Sequence, residues 1–333
     1  MARKNIRLML TVPAHSDFEQ VIDDPIVEGA RINTTIPVKL TLEETLSSIK
    51  DKTGKKDAWI DLKCRQLRIA KYNVDILQDR EIHCIELSHN IKVNTPTEVL
   101  FDNGNVSAVV DKVIDNNKLI IPSSIERRKG IPLPSDGEIG LRIGMSATIL
   151  DPSLIVEGYL TERDKEYVKS AKKIGLHNYM LSFVEQEQDI ADLLALDEEA
   201  KIIAKIESQR GLDFASNVFP KYRKIFSPLH KRIHLMAARG DLYLQLEPDK
   251  IIDACQKIIE NDSGAIFASR ILESFADPVE RPKCNDIFDV YAGMLMGYKR
   301  FMIGDDVCRR KDSIRSAIGF FNVLSNKYEE LTA

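Results

Sequence analysis

No apolar run in this chain approaches the ~18 residues that a membrane-spanning helix requires. The first apolar stretch, Ile6 to Val12, is broken by Arg7 and reads as a strand rather than as a secretory leader. Cysteine is sparse. The five thiols stand no closer than 20 residues to one another, which leaves no CxxC pair and so neither a zinc nor a dithiol motif. An odd count in a chain of 333 residues fits free thiols in a reducing cytoplasm. Charge of one sign is not in excess: 47 Lys and Arg against 51 Asp and Glu give a net −4, without the basic surplus of a nucleic-acid or anionic-membrane binder. The six His are scattered and form no complete metal-binding motif, and the single Trp59 reads as core.

What is present is ordinary globular composition, 44% apolar and 29% charged, in a repeating pattern. Eight short apolar runs, rich in β-branched residues, are Ile6–Val12, Gly29–Asn33, Ala58–Asp61, Tyr179–Val184, Lys201–Ile206, Ile233–Ala238, Ala265–Ser269 and Arg300–Ile303. Runs of this length read as buried parallel strands. Amphipathic stretches lie between them, such as Leu42–Lys52 behind a Thr41/Glu44 capping box, Thr161–Ile174, Pro248–Glu260 and Lys311–Tyr328. Eight strands alternating with helices predict an α/β fold, a (β/α)8 TIM barrel. One connection is too long for a single helix. Residues 81–121 show short alternating runs and a hairpin signal at Asp102-Asn103-Gly104-Asn105, so a small β-rich domain is inserted after strand 3. The expected division is barrel over 1–68, insert over 69–158 and barrel again over 159–333. Residues Pro132–Gly158, rich in Gly and Pro, are the least readable.

In such a barrel, chemistry collects at the C-terminal strand ends. These ends carry Arg31, Asn33 and Thr35, then Asp61 and Lys63, Ser182, Lys205 and Glu207, Arg239-Gly240-Asp241, and Ser269. Glu207 and Asp241, on neighbouring strands, suit one hard divalent cation with open positions for substrate oxygens. Lys205 and Arg31 suit a phosphoryl or carboxylate group. Gly240 lets a ligand lie against the backbone. A structural ion-pair network is the alternative for any one of these residues. Their recurrence at consecutive strand ends favours a site.

The blocks AKIESQRGLDF (204–214) and MAARGDLYLQLEP (236–248) resemble signatures of the pyruvate kinase family. So do GARINTT (29–35), AWIDLKCRQLRI (58–69), VLFDNGNVSAVVDKV (99–113), KGIPLP (129–134), LTERDKEYV (160–168), LSFVEQEQDI (181–190), ASRILESF (268–275) and GMLMGYKRFMI (293–303), in the family's order. The resemblance implies a barrel with a mobile β domain after strand 3. It implies Lys205 as the cation that stabilises the phosphoryl group in flight, and Glu207 and Asp241 as ligands of Mg²⁺ or Mn²⁺. Arg31 and Arg68 fall on phosphate-binding arginines. Ser269 replaces a threonine near the carbon that takes the proton. Asn33, Thr35 and Asp61 fall on ligands of a monovalent cation, K⁺. Ser182, Ala238, Arg239 and Gly240 fall on substrate contacts, and the basic run Arg127-Arg128-Lys129, next to KGIPLP, offers Lys129 as a phosphate contact, with a solvated loop as the alternative.

The departures gather on the nucleotide side. TIGPAS becomes TVPAHS (11–16), SHG becomes TIP (35–37) with Ile36 for the histidine, GPE becomes Cys64-Arg65-Gln66, the SFVR arginine becomes Glu185, and SGETA becomes Ile303-Gly304-Asp305-Asp306-Val307. The family's C-terminal domain, and with it sugar-phosphate control, is expected to be missing. Three functions follow. The first is a metal-dependent phosphotransferase interconverting phosphoenolpyruvate and pyruvate with ADP/ATP or another acceptor. The second is a metal-dependent lyase or aldolase working through a pyruvate enolate. The third is a non-catalytic binding or regulatory homologue, against which the intact Arg31, Lys205, Glu207 and Asp241 argue. Partners are small molecules, with no nucleic acid and no membrane; a homo-oligomer is left open.

Overall fold

A computed structural model describes residues 6–12, 19–35, 40–77, 80–122, 126–127, 141–225, 232–277 and 282–332. Lys129, His15 and Ile36 lie outside the described residues, as do the first residues of the Gly- and Pro-rich segment. The chain forms two compact units, one of Met1–Leu62 with Arg163–Ala333 and one of Lys63–Glu162. The expected insert, 69–158, falls inside the second unit, which also takes in residues 63–68 and 159–162.

The first unit is a closed barrel of eight parallel strands. In chain order they are β1 (Arg7–Thr11), β2 (Val27–Asn33), β3 (Asp57–Leu62), β4 (Asn178–Leu181), β5 (Lys201–Ile206), β6 (Ile233–Ala238), β7 (Ile266–Ala268) and β8 (Arg300–Met302). Each pairs with its neighbours in sequence, and β8 closes on β1 with Arg7 opposite Arg300 and Met9 opposite Met302. These strands are buried on both faces, so they read as unbroken apolar runs: Ile202, Ile203, Ala204 and Ile206 of β5 have no exposed surface. The barrel interior is filled by Met9, Trp59, Met180, Ile203, Met236, Ile266 and Met302, with Ala238 and Ala268 as small partners towards the strand ends. Four flexible thioethers share this core with one indole, filling irregular gaps that rigid branched side chains fit less easily.

Helices cover the outside. Leu42–Thr53 starts with the reciprocal cap the sequence calls for: the Glu44 amide donates to Thr41 Oγ1, and the Thr41 amide donates to the Glu44 carboxylate at 3.0 Å. It stops at Gly54, whose φ of 59° no β-carbon obstructs. The helix Cys284–Leu295 packs so closely on the sheet that a Cβ at Gly293 would lie 2.9 Å from the Phe267 ring. The longest helix, Lys311–Thr332, ends the described chain. Among the described residues no helix is long and apolar enough to cross a membrane.

The second unit, inserted between β3 and β4, is antiparallel and β-rich. One sheet orders Ile69–Leu77, Arg80–Leu87, Lys118–Ile121 and Lys112–Ile114; another orders Glu126–Arg127, Val106–Val110, Thr97–Phe101 and Ala147–Ile149. Alternation is plain here: Val106, Ala108 and Val110 are buried while Val109 is exposed. The turn at Asp102–Gly104 joins Thr97–Phe101 to Val106–Val110, with Asp102, Asn103 and Gly104 all at positive φ. Phe101, Ile85, Val99, Leu119 and Ile121 lie at the centre of this unit's own core.

Candidate active site

The C-terminal strand ends of the barrel bring together a buried charged cluster. Lys205, the fifth residue of β5, is 7% exposed. Its ammonium donates to Ser182 Oγ at 2.9 Å and to Asp61 Oδ1 at 3.2 Å, and it lies 3.1 Å from Glu207 Oε1. Three N–H groups therefore have three oxygen partners. Burial lowers its pKa, but the carboxylates of Asp61 and Glu207 outweigh burial and hold it above the ordinary range. The lysine is charged at neutral pH.

Asp61, near the end of β3, has no exposed surface and serves both cations. Its Oδ2 accepts from Arg31 Nε at 2.8 Å and Nη2 at 2.5 Å, while Oδ1 faces Lys205. Arg31 also donates through Nη1 to Thr11 Oγ1 at 3.1 Å and to Asp305 Oδ2 at 2.9 Å. Burial opposes its charge and the two carboxylates overcome it, raising its pKa further. Asp305 holds Asn33 as well, accepting from Nδ2 at 3.1 Å.

Glu207 follows β5 directly. Its Oε2 accepts from the Phe183 amide at 2.8 Å, which the chain presents by turning left-handed at Phe183, φ 50°. The neighbouring turn is tightly built: Ser208 Oγ donates to Glu185 Oε1 at 2.6 Å, and a Cβ at Gly211 would meet the Val184 carbonyl at 2.8 Å. Glu207 is 2% exposed. Burial pushes its carboxyl up, Asp241 pushes the same way, and Lys205 with the Phe183 amide does not bring it back. Asp241 sits in the first turn of the helix Arg239–Gln245, after β6. The two carboxylates repel each other, and a cation between them would relieve that repulsion. Among the described residues no three His, Cys, Asp or Glu gather to hold a metal. Two carboxylates completed by water and substrate oxygens are the habit of Mg²⁺, and Glu207 with Asp241 fit it.

Each residue of the expected monovalent-cation set has a polar partner. Asn33 Oδ1 accepts from the Thr35 hydroxyl at 2.9 Å and the Thr35 amide at 3.2 Å. Asp61 pairs with Arg31 and Lys205. Arg239, expected at substrate, has its guanidinium bound to Asp289 and to the carbonyls of Ala268 and Ser269. Gly240 lies against Ser269, whose Cβ and Oγ would be 3.5 Å from a Cβ there. Ala238 ends β6 at the barrel interior. Arg68 belongs to the second unit, where it donates to the Gly144 carbonyl at 2.6 Å and to Gln66 Oε1 at 2.5 Å. Thr11 and Asp305, the partners of Arg31, were not singled out by strand-end reasoning; applied to β8, the same rule reaches Asp305.

A family model, pyruvate kinase barrel domain, matches residues 51–309. The chain belongs to the pyruvate kinase family. Pyruvate kinase relatives agree: pyruvate kinase 2 of Candida glabrata is 27% identical over 245 residues, covering 69% of this chain and 42% of the relative. Pyruvate kinase 1 of Saccharomyces cerevisiae is 25% identical over 245 residues, with 69% and 43% covered. The pyruvate kinase of Lactobacillus delbrueckii subsp. bulgaricus is 28% identical over 221 residues, with 62% and 35% covered. The chain spans less than half the length of these curated relatives. The matched span contains the Lys205, Glu207, Asp241 and Ser269 positions of this pyruvate kinase-family barrel, while Arg31 precedes it.

Proposed function

We propose that this chain is a pyruvate kinase-like phosphotransferase that moves a phosphoryl group between phosphoenolpyruvate and an acceptor such as ADP. The observation that carries the reading is Lys205, a buried and charged ammonium held between Asp61 and the Glu207 beside Asp241. In phosphoryl transfer the protein's main task is to meet charge on the equatorial oxygens with fixed, water-poor donors. Lys205 takes that role in this reading, and its hydrogen bonds to Ser182 and Asp61 support it by fixing the direction of the ammonium. Mg²⁺ or Mn²⁺, held by Glu207 and Asp241, would supply Lewis-acid polarisation of phosphoryl and enolate oxygens. Arg31 orients the substrate's anionic end, and Ser269 stands near the carbon that is protonated when the enol becomes pyruvate.

A second reading, an enolate-forming lyase, is supported by one feature. Arg31 is gripped by Asp61, Asp305 and Thr11, a tighter commitment than an open phosphate site needs. Measuring two reactions separates the readings: phosphotransfer from phosphoenolpyruvate, and metal-dependent exchange of the pyruvate methyl protons. For a phosphotransferase, Lys205→Met lowers phosphotransfer by roughly 10²–10³ while metal binding persists and proton exchange suffers much less. For a lyase, the unaltered protein exchanges methyl protons but transfers no phosphoryl group to any nucleoside diphosphate. Absence of both reactions in metal-loaded protein would leave only a binding role.

A further inference from the structure

The loop after β7 is held in an unusual conformation. Ser269, Arg270 and Leu272 have φ values of 68°, 57° and 53°, the left-handed region, and none is glycine. A conformation that L-residues resist must be imposed by its surroundings. Arg239 imposes it. Its Nε donates to the Ala268 carbonyl at 3.2 Å and its Nη2 to the Ser269 carbonyl at 2.5 Å, so one guanidinium grips the backbone at the last strand residue and the first loop residue. The same guanidinium is held from behind by Asp289, with Nη2 2.8 Å from Oδ2 and Nη1 bound to Oδ1. Its Cζ lies 3.9 Å from the centre of the Phe267 ring. A planar fork, paired at one edge and stacked on an aromatic face, has little freedom. Asp289 sits on the helix Cys284–Leu295, in the outer layer of the barrel. On the other side, the Ser269 side chain rests against Gly240.

We propose that Arg239 and Asp289 are positioning residues, a clasp that sets the Ser269 hydroxyl by fixing the backbone carbonyls of Ala268 and Ser269. The proposal rests on the reading of Ser269 as the residue near the protonated carbon. It gives the arginine of the RGD block a task other than substrate contact. It also assigns a function to an aspartate that no strand-end rule reaches.

The experiment uses the full chain and Asp289→Asn, Asp289→Glu, Ser269→Ala and the Asp289→Asn/Ser269→Ala double variant. Two readouts are taken: amide hydrogen exchange of the segment 268–272 in metal-free protein, and the kinetics of pyruvate methyl proton exchange with Mn²⁺. Asp289→Asn should speed amide exchange at 268–272 by about tenfold or more without a comparable change in β5 or β6. It should lower kcat for proton exchange by roughly 10- to 100-fold at nearly constant KM, since small misplacement of a reacting group is costly. Asp289→Glu should restore part of both. In the Ser269→Ala background, Asp289→Asn should add less than about twofold, because both changes act on one hydroxyl. Unchanged amide exchange at 268–272 in folded Asp289→Asn overturns the clasp, and so does a full additional kcat loss in the Ser269→Ala background. If unaltered protein with Mn²⁺ bound exchanges no methyl protons, the functional reading fails and the amide-exchange result alone decides the clasp.

Discussion

Glu207 and Asp262 are both buried carboxylates beside β6, at opposite ends of the barrel, and they are treated in opposite ways. Asp262 precedes β7 on the floor. It accepts from the Leu235 amide at 2.8 Å, the Gly264 amide at 3.0 Å, Arg223 Nη1 at 3.0 Å and His234 Nδ1 at 3.1 Å. Burial would raise its pKa, but these donors overcome burial and hold it below the ordinary 3.8. Glu207, at the mouth, has Lys205 and one amide, shares its surroundings with Asp241, and is held above the ordinary 4.5. A carboxylate with its donors in place stabilises the fold. A carboxylate whose charge the fold disfavours is a candidate for binding a cation. On the function proposed above, the floor carboxylate serves stability and the mouth carboxylate serves a ligand, at a cost in stability.

The contrast can be broken by three substitutions. The largest effect is expected at the floor. Asp262→Asn leaves Arg223 and two amides facing a neutral group and should cost about 3–5 kcal/mol at neutral pH, read from urea unfolding. Its acid dependence has a defined sign. A lowered folded pKa means the contribution is complete above the unfolded value of 3.8 and is lost as pH falls through the folded value, so the unaltered protein weakens in that window and Asp262→Asn lacks that component. A smaller loss is expected for Asp197→Asn, about 1–3 kcal/mol. Asp197 also lies on the floor and accepts from the Tyr179 hydroxyl at 2.8 Å, His177 Nδ1 at 2.8 Å and the Glu199 amide at 3.2 Å. The smallest is Glu207→Gln in metal-free protein, which should leave stability unchanged or raise it by up to about 2 kcal/mol. A loss there as large as that of Asp262→Asn would make Glu207 a structural residue and erase the distinction.

The barrel was legible because strands buried on both faces read as continuous apolar runs, and all eight were found at nearly their observed bounds. The mouth was legible as residue types at strand ends, but not as pairings. Asp61 and Lys205 are 144 positions apart, and Asp305 meets Arg31 only once β8 closes on β1. Arg239 was legible as part of a motif, whereas its partner Asp289, 50 positions on, is set by how the helix Cys284–Leu295 packs. His177 and His234 looked scattered because each answers to an aspartate 20 or 28 positions away on the floor, a distance with no local period.

The most direct test of a ligand-built mouth is a calorimetric titration with Mn²⁺. The unaltered protein should bind Mn²⁺ at millimolar or better affinity through Glu207 and Asp241, completed by water oxygens. The Glu207→Gln/Asp241→Asn variant, folded and at least as stable, should bind none. Equal Mn²⁺ binding by the two proteins would contradict it.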